Sequence, residues 1–338
     1  MTMMKKRHIL HWAMGVILTP LLGSCTSDDV VGDAGREGCD IILGPAITVT
    51  SVTRSTDGRN SSNQFDPNEE VWLWANKADD TEYIMAWKLT AQSGGNLTGS
   101  SAKYWPSDGS SLDVYALHGN FKNSSISEGS PSWSSLSLTH TVASDQSSDV
   151  NKRLSDLLYS HPTTAAASGQ TVELTFDHLL AKITVKLNLN DSQGIEASEL
   201  ANATVTLTNI LPEATFTSSD GKAASAGGYR TTITAGKPTS VSDGAVIGCA
   251  IVPLQDFGGG KGSDSENNVI TITLAYPDSR SFSYTPTPYV ALTAGNEYIY
   301  TLKIINGELS VSSISVSDFT NESTQEKKWD IYVEPSGS

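Results

Sequence analysis

The sequence predicts an all-β protein built of antiparallel sandwiches, with little helix. Apolar and polar residues alternate over short stretches, the period-two pattern of strands that bury one face. Gly, Pro, Asn and Asp punctuate those stretches at close intervals, as turns between short strands require. The chain has 338 residues, too many for one small sandwich and comfortable for two domains.

The elements follow in order. Ile47, Val49 and Ser51 alternate with Thr48 and Thr50 in a first strand. Val71-Trp72-Leu73-Trp74 reads as a second and Tyr83 to Leu89 as a third, with Asn76 to Thr81 as the polar turn between. Leu112 to Leu117 reads as a buried strand, and Leu136 and Leu138 mark another. In the second half Val172, Leu174 and Phe176 share a face. Ile183, Val185, Leu187 and Leu189 share another, opposite Lys182, Thr184, Lys186 and Asn188. Val205 and Leu207, then Ile270, Ile272 and Leu274, then Tyr298, Tyr300, Leu302 and Ile304 repeat the pattern. Helix is expected only over Val150 to Tyr159 and Ile195 to Ala201. The small residues Thr164 to Gly169 read as the linker between an N-terminal domain over 41–168 and a C-terminal domain over 169–338.

The N-terminus reads as an export signal. Lys5, Lys6 and Arg7 precede an apolar run from Ile9 to Leu22, too short for a comfortable membrane span. Leu22-Gly23-Ser24-Cys25 resembles the lipobox of bacterial lipoproteins, which implies removal of residues 1–24 and lipidation of Cys25. At about 0.8 kcal/mol per buried methylene, the acyl chains of such a residue hold a protein durably in outer-membrane lipid. Residues 25–40, with Asp28, Asp29 and Asp33, read as an acidic tether. With Cys25 lipidated, Cys39 and Cys249 are the two cysteines left for an oxidising compartment. Cys249 sits in the apolar run Ala245 to Val252 and reads most simply as a small buried hydrophobe.

Composition excludes several functions. The formal charge of −15 becomes −18 once the leader and its three basic residues are removed, and no Lys/Arg cluster marks a nucleic-acid partner. His118, His140, His161 and His178 lack zinc-ligand spacing and read as packing histidines. There is no nucleophile elbow, phosphate loop or dinucleotide fingerprint, so neither catalysis nor a cofactor is expected. Dispersed carboxylates of a glycosidase would leave no local motif. Trp72, Trp74, Trp87 and Trp105 read as core. Trp133, in Pro131-Ser132-Trp133-Ser134-Ser135, reads as exposed, the candidate contact for a host or bacterial glycan or protein.

Several segments together resemble the fimbrillin family, the type V pilus subunits of anaerobic Gram-negative bacteria. They are the lipobox ending at Cys25, an early strand running into Thr53-Arg54, and Phe65-Asp66-Pro67-Asn68-Glu69-Glu70-Val71. Lys103-Tyr104-Trp105-Pro106 and Leu112-Asp113-Val114-Tyr115-Ala116 follow, then Asp156-Leu157-Leu158. Leu174 to Ile183, with its Phe-x-His-x-x-Ala-Lys run, is the most distinctive, and Gly295 to Leu302 closes the series.

The resemblance implies two transthyretin-like sandwich domains in tandem and assembly by strand exchange with other pilus subunits. A trypsin-like maturation protease would cut after an Arg, here Arg54 or Arg36, and release an N-terminal strand. A neighbour's strand would then fill the vacated groove. Roughly three to five buried aliphatic side chains at about 1.5–3 kcal/mol each give on the order of 5–15 kcal/mol before ordering costs. Donor candidates are Trp329, Ile331 and Val333 in the tail. Leu309-Ser310-Val311 and Ile314-Ser315-Val316 read equally as the last native strands. The expectation is a structural and adhesive subunit. A monomeric glycan-binding lipoprotein is the alternative.

Overall fold

The computed structural model describes residues 48–53, 65–94, 96–121, 125–165, 171–236, 245–260, 266–275 and 278–318. In chain order they form β1 (Thr48–Thr53), β2 (Glu70–Lys77), β3 (Glu82–Ala91), β4 (Asn96–Gly99), β5 (Leu112–His118), β6 (Ser137–Thr141), α1 (Asp149–Leu154), β7 (Leu158–Ala165), β8 (Thr171–His178) and β9 (Ala181–Leu187). There follow α2 (Ala197–Leu200), β10 (Thr204–Ile210), β11 (Glu213–Thr217), β12 (Lys222–Ser225), β13 (Thr231–Thr234), β14 (Ala245–Val252) and β15 (Asp256–Phe257). The last five are β16 (Val269–Leu274), β17 (Arg280–Tyr284), β18 (Val290–Ala291), β19 (Asn296–Ile305) and β20 (Glu308–Asp318).

The all-β expectation holds, and each alternating stretch named above forms a strand. The first sheet, in the order β1-β4-β3-β2-β5-β7-β8, closes into a barrel because β8 pairs with β1. Val71, Leu73, Trp87, Leu112, Leu174 and Phe176 are among the side chains that fill it. A bulge places Ile84 and Trp87 in that interior although they are three residues apart. Ala86, at φ 40°, takes the extra step, and the register against β2 shifts there.

The second half stacks the sheets β13-β10-β16-β17 and β14-β9-β19-β20 around another core that includes Ile183, Leu207, Ile272 and Tyr300. That core continues through Trp133, Tyr159 and Phe216 to Trp74 and Leu117 on the outer face of the barrel sheet. Two strand pairs, β1 with β8 and β9 with β19, run parallel. Side-chain alternation is the same in parallel and antiparallel strands, so the pattern does not disclose these pairs.

Of the stretch Thr164–Gly169, expected as a linker, the first two residues are described. Thr164 and Ala165 end β7, and β7 and β8 pair with each other within the first sheet. The chain crosses between the two large sheets at Leu179–Leu180, after β8. Residues 166–169 of that stretch lie outside the described residues. Segments also mix across the expected boundary, because β6 pairs with β11. The helix expected over Val150 to Tyr159 stops at Leu154. The Ser155 hydroxyl bonds back to the Asn151 carbonyl at 2.8 Å, and the chain re-enters a strand at Leu158.

Candidate functional site

The site that the fold singles out is the seat of β1. β1 lies between β4 and β8, with Val49 opposite Leu97 and the run Thr48–Thr53 in parallel register with Thr171–Phe176. Among the described residues it is the only link between those two strands, so the barrel is closed by one six-residue segment. β8 beneath it alternates without fault: Val172, Leu174, Phe176 and His178 point inward and Thr171, Glu173 and Thr175 outward. Withdrawing β1 would leave the facing backbone edges of β4 and β8 unpaired, and an extended peptide could take its place. The residue after β1 is Arg54.

β8 leads directly into the junction between the sheets, and the scattered sequence segments converge there. His178 donates from Nδ1 to the Asp156 carboxylate at 2.9 Å, and the Leu179 amide donates to the Leu157 carbonyl at 2.9 Å. Gly295 donates to the Leu180 carbonyl at 2.9 Å, and Lys182 Nζ lies 3.3 Å from the Glu297 carboxylate. On the barrel side Phe65 packs edge-on to Phe176 at 5.1 Å and against His118 at 5.0 Å. His118 donates from Nδ1 to the Glu70 carbonyl at 2.8 Å. Arg153, on α1, reaches both Asp66 and Glu69 at 3.0 Å. Apart from His118, at the end of β5, every one of these groups comes from a segment quoted above or from α1. His178, Phe176 and their partners hold β8, the strand against which β1 lies, and the Leu180 and Lys182 contacts tie the segment that follows it to Gly295 and β19.

Trp133 is not an exposed contact. It is 7% exposed, stacked on Tyr115 at 4.4 Å and on Tyr159 at 5.9 Å, with Trp74 at 5.4 Å. Polar neighbours in the sequence suggested a loop, but a short 3-10 turn at Trp133–Ser135 points the indole inward, and Glu82 takes the hydrogen bonds of Ser132 and Ser134. The half-buried tryptophan is Trp72. With Lys88, Phe121, Ile126, Val150 and Leu154 it walls an open cleft of about 630 Å³. Lys88 Nζ sits 5.9 Å from the Trp72 ring centre and 2.6 Å from Glu70.

Three histidines are core residues, and His161 is on the surface. His140 accepts the Asn120 amide on Nδ1, so its proton sits on Nε2 and goes to the Ser155 carbonyl at 2.9 Å. Burial holds its pKa down at about 4, against the partial opposition of that carbonyl. Cys249 is half-buried rather than fully buried and receives Lys152 Nζ at 3.8 Å. Leu309–Val311 and Ile314–Val316 both belong to β20, which pairs along β19. Cys25, Arg36, Cys39, Arg54, Trp329, Ile331 and Val333 lie outside the described residues. Among the described residues no cluster of His, Cys, Asp and Glu is placed to hold a metal ion.

Fold and site thus define a β-protein whose first sheet is closed by its N-terminal strand and braced at the junction with the second. The fimbrillin-like family profile matches residues 53–318, most of the chain. The chain belongs to the fimbrillin-like family. Among solved structures it is similar to a candidate cell adhesion protein from Bacteroides uniformis, with 20% identity and a TM-score of 0.58 over 81% of this chain and 98% of that one. It is also similar to a candidate cell adhesion protein from Bacteroides ovatus, with 14% identity and a TM-score of 0.59 over the same shares. At these identities the likeness shows a common fold. No curated protein sequence matches it.

Proposed function

We propose that this chain is a non-catalytic structural and adhesive subunit of a surface fimbria, assembled by strand exchange. It is exported on the signal at residues 1–24, lipidated at Cys25 into outer-membrane lipid, and cut by a trypsin-like protease after Arg54, with Arg36 as the second candidate. Cleavage cuts β1 away from the rest of the chain. A strand from a neighbouring subunit then occupies the seat between β4 and β8, and Trp329, Ile331 and Val333 are the candidate donor residues. The observation that carries this reading is the position of β1, a lone six-residue closing strand that ends immediately before an arginine.

A competing reading, a monomeric glycan-binding lipoprotein, draws on the cleft walled by Trp72 and not on Trp133. The deciding measurement is the intact mass and N-terminal sequence of protein released from the cell surface. A start at Ser55 or Glu37 in high-molecular-weight material supports the subunit. A lipidated start at Cys25 in membranes, with glycan retention and no polymer, supports the competitor. Cys25→Ala should abolish acyl labelling, and Arg54→Ala should block maturation while export continues. Processing at the same bond in the Arg54→Ala protein would sink the choice of that arginine.

A further inference from the structure

We propose that the Arg230–Thr231 bond is a second substrate site for an Arg-specific protease, and that cutting it leaves a nicked subunit whose two pieces stay together. The inference rests on the maturation reading above. Residues 226–230 join β12 to β13 with no regular structure, and Gly227 and Gly228 turn the chain outward at φ 74° and 100°. Tyr229 is 97% exposed, far beyond Val150 at 55%, the next most exposed large apolar side chain among the described residues. Beside it Arg230 is exposed too, and its guanidinium donates to one carbonyl, that of Asn209, at 2.7 Å.

The other arginines among the described residues are held differently. Arg153 is largely buried between two carboxylates, and Arg280 pairs with the buried carboxylate of Glu199. An Arg-specific pocket must take the whole guanidinium and bind the flanking backbone extended. Arg230 gives up a single exposed hydrogen bond to do so, whereas Arg153 would have to unfold α1.

The backbone after the bond can also open. β13 is four residues long, lies at the edge of its sheet, and has β10 as its sheet neighbour. The register breaks so that the Thr231–Ile210 pair stands apart from the Ile233–Leu207 pair. Peeling back Thr231 therefore leaves the rest of β13 seated. In the cut itself the C–N bond breaks and water adds across it, leaving a carboxylate on Arg230 and a free amine on Thr231.

The pieces remain joined because partners lie on opposite sides of the nick. β10, before it, pairs with β13 and β16, and β9 pairs with β14 and β19. Their side chains share one core, and Leu207 stands opposite Ile233 on one side and Ile270 on the other.

The test is time-resolved digestion of the full mature chain with trypsin at low ratio, read by intact mass and native size. It is paired with N-terminal sequencing of the surface-released protein. The expected result is a second N-terminus at Thr231, formed at least ~100-fold faster than products of the Arg153 and Arg280 bonds, because local opening precedes global unfolding. Native size should stay unchanged. Arg230→Gln should abolish that product with no change in urea midpoint, and Arg54→Ala should leave it in place.

An intact Arg230 bond alongside cleavage at Arg54 or Arg36 overturns this proposal and spares the maturation reading. A Thr231 start in digests, with surface protein uncut anywhere, removes the maturation reading and with it this site's role. Equal rates at Arg153, Arg230 and Arg280 would mean digestion through global unfolding, which overturns the proposal. Separation of the pieces in native conditions overturns the nicked-subunit half.

Discussion

Lys182 on β9 and Glu297 on β19 are register partners in a parallel strand pair, and their side chains meet at 3.3 Å. The Thr184 hydroxyl bonds the same carboxylate. Both ionic side chains are largely buried, with 10% and 17% of their side-chain surface exposed. Two segments 115 residues apart thereby fix the register of β19 to the strand that continues from β8.

Breaking that pair on one side should be costly. Glu297→Ala removes the carboxylate that faces a mostly buried ammonium, and about 3 kcal/mol should be lost in urea unfolding. The double variant Lys182→Met/Glu297→Met should lose less than the sum of the single ones, because neither charge is then stranded. Additive losses would show that the contact contributes nothing to stability.

Trp133→Ala should destabilise the folded chain by about 3–5 kcal/mol, the cost of emptying a buried aromatic site. Trp133→Phe should cost less. Ligand retention on a glycan array, if any is found, should survive Trp133→Phe and fail with Trp72→Ala. Loss of retention in Trp133→Phe with an unaltered urea midpoint would return the contact to Trp133.

Gly99→Ala tests the wall beside the β1 seat. A Cβ at Gly99 would overlap the indole of Trp87, a buried side chain. The substitution should cost about 1–3 kcal/mol, and it should loosen β4, whose Asn96 and Leu97 pair with β1. Hydrogen exchange of the β4 amides reports this directly: protection should fall there before it falls in β9.

His140 sets a pH dependence. Its pKa is held down to about 4 by burial, against an ordinary 6.5, so the unfolded chain takes up the proton first. Its contribution is therefore complete above about pH 6.5, declines as the pH falls toward 4, and levels off below. At 1.36 kcal/mol per pKa unit the loss is about 3 kcal/mol. Urea midpoints at successive pH values should follow that course, and the His140 ring should show no protonation by NMR above about pH 5.5. Titration near 6.5 would show that the ring is hydrated.

Much of this was legible in the sequence, for a local reason. Alternation at Val172, Leu174 and Phe176 or at Ile270, Ile272 and Leu274 records which side chains leave water, and that is enough to specify strands. The same rule misplaced Trp133. Its neighbours Ser132 and Ser134 bond Glu82, about fifty positions earlier in the chain. Thr164 and Ala165 show the same ambiguity, since small residues suit the end of a strand, where these two lie, as well as a loop.

By itself the sequence determined the strand content, the sparse helix, the apolar faces and the family-like order of motifs, all properties of neighbouring residues. Only the tertiary structure decided that β1 runs parallel to β8 and closes a barrel, that His178 meets Asp156 and Lys182 meets Glu297, and that Trp72 faces the open cleft. Strand pairing and burial depend on residues far apart in the chain, and a period-two pattern carries no record of which strand lies alongside.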